Sequence, residues 1–182
     1  MPDSEQNIVA DLRDANKREL AFHVLVKTYQ ERLYWHIRKI VLNHDDADDV
    51  LQNTFLKAWR SIDKFREESS LFTWLYRIAT NESITFLNSK KRKSMLPLGE
   101  DSEYLMDNLM SDPFFSGDEI QLKLQQAILR LPEKQRLVFN MKYFDEIKYD
   151  DMSKILDTSV GALKASYHHA AKKIEEYIKN TD

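Results

Sequence analysis

The 182-residue sequence has no cysteine, three glycines, four prolines and no long apolar run. A chain without cysteine forms no disulfide and no thiolate metal site, which fits a reducing cytoplasm. A membrane span needs about 20 consecutive apolar residues, and no stretch comes close. The polar, acidic N-terminus, MPDSEQNIVADLRD, does not resemble a signal peptide. We therefore expect a cytoplasmic protein that is not inserted in a membrane.

Helical periodicity is the main pattern that the sequence does contain. From Phe22 to Val41, apolar residues recur at steps of three and four, and similar stripes follow later in the chain. With so little glycine and proline, this predicts an all-α fold. The predicted helices cover residues 4–15, 17–42, 47–62, 71–91, 116–130, 133–144, 149–156 and 160–179.

Local signals predict where several of these helices begin. Side chains that accept hydrogen bonds from free backbone N–H groups favour helix N-termini. The expected caps are Asp45 or Asp46 for the third helix, Ser69 or Ser70 for the fourth, a capping box over 116–119 for the fifth, and Ser159 for the last. Asp157 tolerates a left-handed backbone, so 157–158 is predicted to be a tight turn.

The charge distribution divides the chain into three parts. Residues 1–93 carry a net charge of +2, residues 94–122 carry −7 with no basic side chain, and residues 123–182 carry +2. The overall charge of −3 therefore hides two mildly basic flanks around an acidic centre. We predict two small helical domains, 1–94 and 118–182, joined by an acidic linker over 95–117.

Aromatic and basic residues alternate between Trp59 and Lys93, and the stretch ends on four consecutive basic residues, 90–93. Aromatic faces stack unpaired bases and basic side chains hold phosphates, so this stretch is a candidate platform for single-stranded nucleic acid. The alternative is a helix whose rings fill a core and whose charges face water.

The last two predicted helices have the spacing of a helix-turn-helix, in which the second helix enters a major groove. An apolar stripe from Val160 to Ile178 would pack inward. The opposite face would present Gly161, Lys164, Ala165, His168 and Lys172. The alternative is a helical hairpin in another kind of bundle.

Catalytic and metal-binding patterns are missing. The acidic run 45–49 lacks the glycine and terminal glutamate of an EF-hand loop. His168 and His169 are adjacent in a helix and cannot chelate one metal, and no HExxH or GxSxG motif occurs. We expect no catalytic residue, no metal site and no cofactor.

Three blocks of sequence occur in order. They are Asp46-Ala-Asp-Asp-Val-Leu-Gln-Asn-Thr-Phe-Leu-Lys-Ala-Trp59; Phe65-Arg-Glu-Glu-Ser-Ser70 with Thr73-Trp-Leu-Tyr-Arg-Ile-Ala79; and Leu131-Pro-Glu-Lys-Gln-Arg136 with Tyr149-Asp-Asp-Met and Val160-Gly-Ala-Leu-Lys164. With these blocks the chain resembles the extracytoplasmic-function (ECF) sigma factors of the sigma-70 family over nearly its whole length.

The resemblance implies a sigma factor that binds core RNA polymerase and directs promoter-specific initiation under a membrane-associated anti-sigma factor. Polymerase-clamp contacts would be Asp48, Asp49, Gln52, Phe55 and Leu56. Contacts to the −10 element would be Lys64, Phe65, Arg66, Ser69, Ser70, Trp74, Arg77, Asn81, Lys90, Lys91 and Arg92. Contacts to the −35 element would be Gly161, Lys164, Ala165, His168, His169 and Lys172.

Some residues depart from the family pattern. Glu67 and Glu146 stand where glycine is usual, and Lys148 stands where a capping serine is usual. The recognition face is also poor in arginine, so the −35 sequence does not follow from the resemblance.

Two other functions remain open at this stage. A stand-alone helix-turn-helix regulator would bind duplex DNA tightly without polymerase. A nuclease using the acidic run 45–49 would need magnesium.

Overall fold

A computed structural model describes residues 3–93, Met106 and residues 119–181. The described part of the chain is helical and contains no strand, which confirms the predicted all-α fold. None of the helices in this part is long and apolar enough to cross a membrane. The helices are α1 Asp3–Arg13, α2 Arg18–Val41, α3 His44–Ser61, α4 Leu71–Lys93, α5 Glu119–Leu129, α6 Glu133–Tyr143, α7 Tyr149–Leu156 and α8 Val160–Asn180.

The N-terminal module is built around α2. Leu33 and Ile37 of its predicted apolar stripe are fully buried, whereas Phe22 and Val26 are half-buried and Leu25, outside the predicted stripe, is buried in their place. Helices α1, α3 and α4 all pack against α2. Glu5 of α1 also reaches α4, because its carboxylate accepts hydrogen bonds from the Tyr29 hydroxyl at 2.7 Å and the Phe72 amide at 3.1 Å.

The predicted cap of α3 was wrong. The side chain of Asn43 accepts the hydrogen bond from the Asp46 amide at 3.0 Å, so Asn43 is the N-cap and α3 begins at His44. Asp46 lies in the first turn of α3, and its carboxylate pairs with Lys90 of α4, whose ammonium lies 2.8 Å from one carboxylate oxygen. The cap of α4 was predicted correctly, because the Ser70 hydroxyl accepts from the Thr73 amide.

The C-terminal module packs α5, α6 and α7 around α8. Helix α7 has the predicted bounds, Tyr149–Leu156, and Asp157 adopts a left-handed backbone with φ 49°. Ser159 caps α8 as predicted, with its hydroxyl accepting from the Ala162 amide at 3.3 Å. The predicted capping box over 116–119 falls mostly outside the described residues.

The hydrophobic core is divided unequally between the modules. One cluster runs from Val9 through α2, α3 and α4 and continues into α6 and α7. A second, smaller cluster belongs to the C-terminal module alone and includes Ile128, Phe139 and Ile174. Met106, the described residue of the predicted linker, packs half-buried against the larger cluster. The two modules therefore share a core on one side of the helix-turn-helix.

Candidate nucleic-acid and polymerase interfaces

The outward face of α3 carries the predicted polymerase contacts. Asp48, Asp49, Gln52 and Leu56 are exposed, and 47% of the Leu56 surface is accessible. Phe55 is half-buried, and its ring meets that of Phe22 edge-on at 6.4 Å. The face thus combines acidic and amide groups with an exposed leucine, anchored by an aromatic contact to α2.

The loop before α4 and the first turns of α4 form a basic and aromatic surface. Trp74 is half-buried and its indole packs on the ring of Phe65, with centroids 5.2 Å apart. Phe65 itself is only 6% exposed, so it supports Trp74 from within the core. The exposed cations Lys64, Arg66 and Arg77 surround this pair.

These three cations border a cavity of about 580 Å³ in front of Trp74. Among the described residues, Lys64, Arg66 and Arg77 make no ion pair or side-chain hydrogen bond. The far wall of the cavity is α7, which contributes Lys154, while Asp157 follows it. The arrangement suits a phosphate-bearing ligand with an aromatic base, because cations and a ring face border the same space.

Asn81 lies one turn further along α4 and is exposed. It lines a second cavity of about 550 Å³, whose opposite wall includes Ile155 and Leu163 of the helix-turn-helix. The predicted base-contacting residue therefore lies at the junction between the two modules.

The basic C-terminal end of α4 is already engaged. Lys90 pairs with Asp46, and the Lys91 ammonium lies 3.8 Å from Glu133 of α6. The Arg92 Nε donates to the Asn88 carbonyl at 3.2 Å. To hold DNA, Lys90 and Lys91 would have to exchange these carboxylate partners for phosphate groups.

The predicted recognition face of α8 is open to solvent. Every predicted contact on this face is exposed: Gly161, Lys164, Ala165, His168, His169 and Lys172. A Cβ added at Gly161 would meet nothing within 4 Å, so the backbone here is accessible from outside. The charged side chains of this face make only long contacts. For example, the Lys172 ammonium lies 3.9 Å from the Glu176 carboxylate.

The turn between α6 and α7 contains a buried junction that the sequence did not reveal. The Asp145 carboxylate, 5% exposed, lies 2.8 Å from His36 Nδ1 and 2.7 Å from the Lys39 ammonium. An ionised carboxylate only accepts hydrogen bonds, so His36 Nδ1 carries the proton. The other ring nitrogen of His36 contacts the Thr80 hydroxyl at 2.9 Å.

The charge environment keeps Asp145 ionised. Burial by itself raises the pKa of this carboxyl. The hydrogen bonds and electrostatic interactions with His36 and Lys39 together outweigh burial and hold the pKa of Asp145 below its ordinary value. His36 falls three residues after Leu33, on the inner side of α2, and this position is the one sequence signal of its burial.

Comparison with known proteins agrees with the division into two modules. The family described as Sigma-70 region 2 matches residues 25–93, and the family described as Sigma-70, region 4 matches residues 121–174. The ECF RNA polymerase sigma-E factor of Haemophilus influenzae is 30% identical over 97% of this chain and 96% of its own.

Two solved structures share the fold. CnrH, in complex with the cytosolic domain of CnrY, has a TM-score of 0.71 at 19% identity, covering 99% of this chain and 100% of its own. The sigma factor RpoE of Bartonella quintana, in complex with the anti-sigma factor NepR, has a TM-score of 0.66 at 22% identity, covering 87% of this chain and 96% of its own.

Proposed function

The chain belongs to the ECF sigma factors of the sigma-70 family, and we propose that its N-terminal module binds core polymerase and opens the −10 element while its C-terminal module reads the −35 element. It is a sigma factor that directs promoter-specific initiation of transcription. The observation that carries this function is the 30% identity to a sigma-E factor over 97% of the chain, which spans both modules.

The polymerase clamp would contact α3. Asp48, Asp49, Gln52 and Leu56 are exposed there, and the half-buried Phe55 packs edge-on against Phe22 of α2. Exposed carboxylates offer complementary partners to a basic surface, and the exposed Leu56 offers an apolar anchor.

The −10 strand would lie across the surface around Trp74. Lys64, Arg66, Arg77 and, after exchange of partners, the basic end of α4 would hold its phosphates. Removing a base from its stack costs a few kcal/mol. Stacking on an aromatic ring returns about 1–3 kcal/mol per base, and the Asn81 amide would add hydrogen bonds to the base. Ser69 and Ser70 lie in the loop that would receive the base.

The −35 duplex would receive α8 in its major groove. Lys164, His168 and Lys172 are exposed along one side of this helix and can reach bases or phosphates. Gly161, Ala165 and His169 complete the face. Since the face contains no arginine, it lacks the side chain that most often reads guanine bidentately.

An anti-sigma factor would control this protein by covering one or both promoter-binding surfaces. The RpoE structure of Bartonella quintana, which shares the fold, is a complex with an anti-sigma factor. We place the anti-sigma factor of this chain at the membrane and the sigma factor itself in the cytoplasm, with no enzymatic activity and no cofactor.

The experiment is run-off transcription with core polymerase on promoter templates selected from genomic DNA. We expect promoter-specific transcripts only when this protein is added, and Asn81→Ala should weaken discrimination at the −10 element more than binding at the −35 element. Lys164→Ala is the matched variant, with the opposite pattern. No transcript on any genomic template would overturn the proposal.

A mobility-shift assay with the protein alone separates a sigma factor from a stand-alone regulator. A sigma factor should bind promoter duplex weakly without polymerase. Tight, operator-specific binding by the free protein would favour the regulator, to which the open face of α8 is also suited.

A further inference from the structure

A third cavity, of about 660 Å³, lies between α2 and the turn that joins α6 to α7. Three aromatic rings line it: Trp35 of α2, Tyr76 of α4 and Phe144 of the turn. Trp35 is 54% exposed and Phe144 is 37% exposed, whereas Tyr76 is buried. Large rings usually bury most of their surface, so two exposed rings on one cavity form an apolar wall that is open to a ligand.

The two exposed rings differ in what already lies against them. The Lys39 ammonium is 5.8 Å from the centroid of the Phe144 ring, so this ring already holds a cation. Trp35 contacts the ring of Tyr34 edge-on at 5.2 Å, and no cation of the described residues lies over its face. Aromatic faces attract cations, and the indole of tryptophan does so most strongly. Trp35 therefore offers a cation site that the described part of the chain does not fill.

Carboxylates without a partner border the same cavity. Glu31 and Glu146 are exposed, and within the described residues they make no ion pair and no side-chain hydrogen bond. The cations of the cavity are engaged elsewhere, since Lys39 pairs with Asp145 and the Arg32 guanidinium lies 4.6 Å from the centroid of an aromatic ring of α4. The charge that remains available to a ligand is therefore negative, the opposite of the −10 surface.

Glu146 occupies a backbone conformation that favours glycine. Its φ angle is 54°, in the left-handed region, where a side chain costs stability. Strained residues of this kind cluster at ligand sites. A glycine here would relieve the strain, but it would leave the turn with Asp145 as its only carboxylate in the cavity, and Asp145 is already paired. The strain is thus associated with a carboxylate that a ligand can reach.

We propose that this cavity binds a small organic cation with a methylated ammonium head, placed over the Trp35 ring and beside the carboxylates of Glu31 and Glu146. Methylated ammonium groups are recognised by aromatic side chains in other proteins. The volume also lies within the range of about 300–1,000 Å³ that is typical of small-molecule sites. A calcium ion is less well suited, because it needs about six to eight oxygen ligands.

The probe is choline, added as its chloride to the full chain. The control ligand is dimethylbutanol, its neutral carbon isostere, and sodium chloride at equal concentration corrects for ionic strength. Binding is followed by NMR on isotope-labelled protein, because the indole N–H groups of the three tryptophans, Trp35, Trp59 and Trp74, give separate signals. Trp35→Phe identifies the Trp35 signal. We expect choline to shift this signal saturably, and the isostere to bind at least about fivefold more weakly because it has no charge.

Variants separate the ring from the carboxylates. Trp35→Leu, read at the backbone amides of α2, should weaken choline binding about fivefold, because leucine has no ring face. Glu31→Gln combined with Glu146→Gln should weaken it about threefold, and this variant keeps the test valid if Trp35→Leu proves unstable. Glu19→Gln is the matched control, since Glu19 is an exposed carboxylate of α2 outside the cavity, and it should leave binding unchanged.

A second arm identifies where the cation comes from. A blocked tripeptide that contains trimethyl-lysine has the same head group as choline. Binding about tenfold tighter than that of choline would identify a methylated side chain of a partner protein as the source. Equal or weaker binding of the peptide identifies a free solute.

Three results would overturn the inference. The first is equal binding of choline and its neutral isostere. The second is a shift of the Trp59 or Trp74 signal without one at Trp35, and the third is unchanged affinity in both Trp35→Leu and the double carboxylate variant. The inference does not depend on the proposed function, because no residue of this cavity belongs to the surfaces assigned to polymerase or promoter. Absent run-off transcription would therefore leave it standing.

Discussion

The two promoter-facing surfaces differ in what lies in front of them. The recognition face of α8 is exposed along its length, whereas the surface around Trp74 faces α7 across a cavity of about 580 Å³. The core is also divided unevenly. The larger cluster takes residues from all four C-terminal helices, including Leu129 of α5 and Leu163 of α8, whereas the small cluster joins α5, α6 and α8 and leaves out α7. Helix α7, which packs against α4, is thus the part of the C-terminal module that faces the surface around Trp74.

The largest expected effect tests whether the core is shared. Leu33→Ala removes a side chain with no exposed surface, and should lower the free energy of unfolding by about 3 kcal/mol. Because α6 and α7 pack on the same cluster, amide hydrogen exchange should rise in both modules. Leu20→Ala is the control, since Leu20 is 71% exposed and its loss should change stability by less than about 0.5 kcal/mol.

Ile174→Ala gives the converse measurement in the small cluster. Ile174 is 6% exposed, and its truncation should raise exchange in α5 and α8 while leaving α2 protected. Equal loss of protection in all helices would contradict a core divided in this way.

A smaller effect is expected at the buried junction. Asp145→Asn should lower the free energy of unfolding by about 2 kcal/mol at neutral pH, because Lys39 loses its counter-charge and His36 loses a charged hydrogen-bond acceptor. Burial and the negative charge of Asp145 also raise the pKa of the neighbouring Tyr76. Glu146, the residue after Asp145, is the other carboxylate of this turn.

The pH dependence of this difference has a defined sign. The folded pKa of Asp145 lies below the ordinary 3.8, so its contribution is complete above that pH and is lost as pH falls through the folded value. Urea unfolding of the parent and of Asp145→Asn should therefore converge only in acid. A difference that vanishes already at pH 6 would show that another group carries the effect.

The smallest effect compares two strained turns, one in each module. Glu67 and Glu146 have φ angles of 58° and 54°, which cost a residue with a Cβ about 1 kcal/mol. Glu146→Gly should therefore raise the free energy of unfolding by about 1 kcal/mol. Glu67→Gly should gain less, since it also removes the exposed ion pair with Arg13 at 2.6 Å. Equal gains in urea unfolding would mean that this ion pair adds no stability.

Local features were predictable from sequence. The bounds of α7, the left-handed Asp157 and the Ser159 cap depend on neighbouring residues only, and all three predictions were confirmed. The Asn43 cap is equally local, since Asn43 accepts from the amide three residues on, but the acidic run that follows it offered competing caps and the helix start was predicted too late. The pairing of Asp46 with Lys90 is a contact between distant residues that no local pattern shows.

The candidate sites differ in how much of each the sequence could predict. The face of α8 follows from helical spacing, and its predicted residues are exposed. The sequence pattern did not show which aromatic rings are buried and which lie at the surface. It therefore predicted the same role for Phe65, which is buried, and for Trp74, which is half-buried. Asp145 and His36 are 109 residues apart, and no local pattern relates them.

The ion pair between Lys90 and Asp46 bears on how ionic strength acts on promoter opening. A lysine that binds phosphate normally releases a condensed counterion, and each such contact contributes about 0.7 to the salt slope for a single strand. If Lys90 leaves Asp46 and binds a DNA phosphate, one counterion is released from the DNA. The unpaired Asp46 carboxylate then attracts a cation from solution, so the release and the uptake of cations nearly cancel. Arg77, which has no such partner in the described residues, would contribute a full increment, so the salt slope would report fewer phosphates than the strand touches.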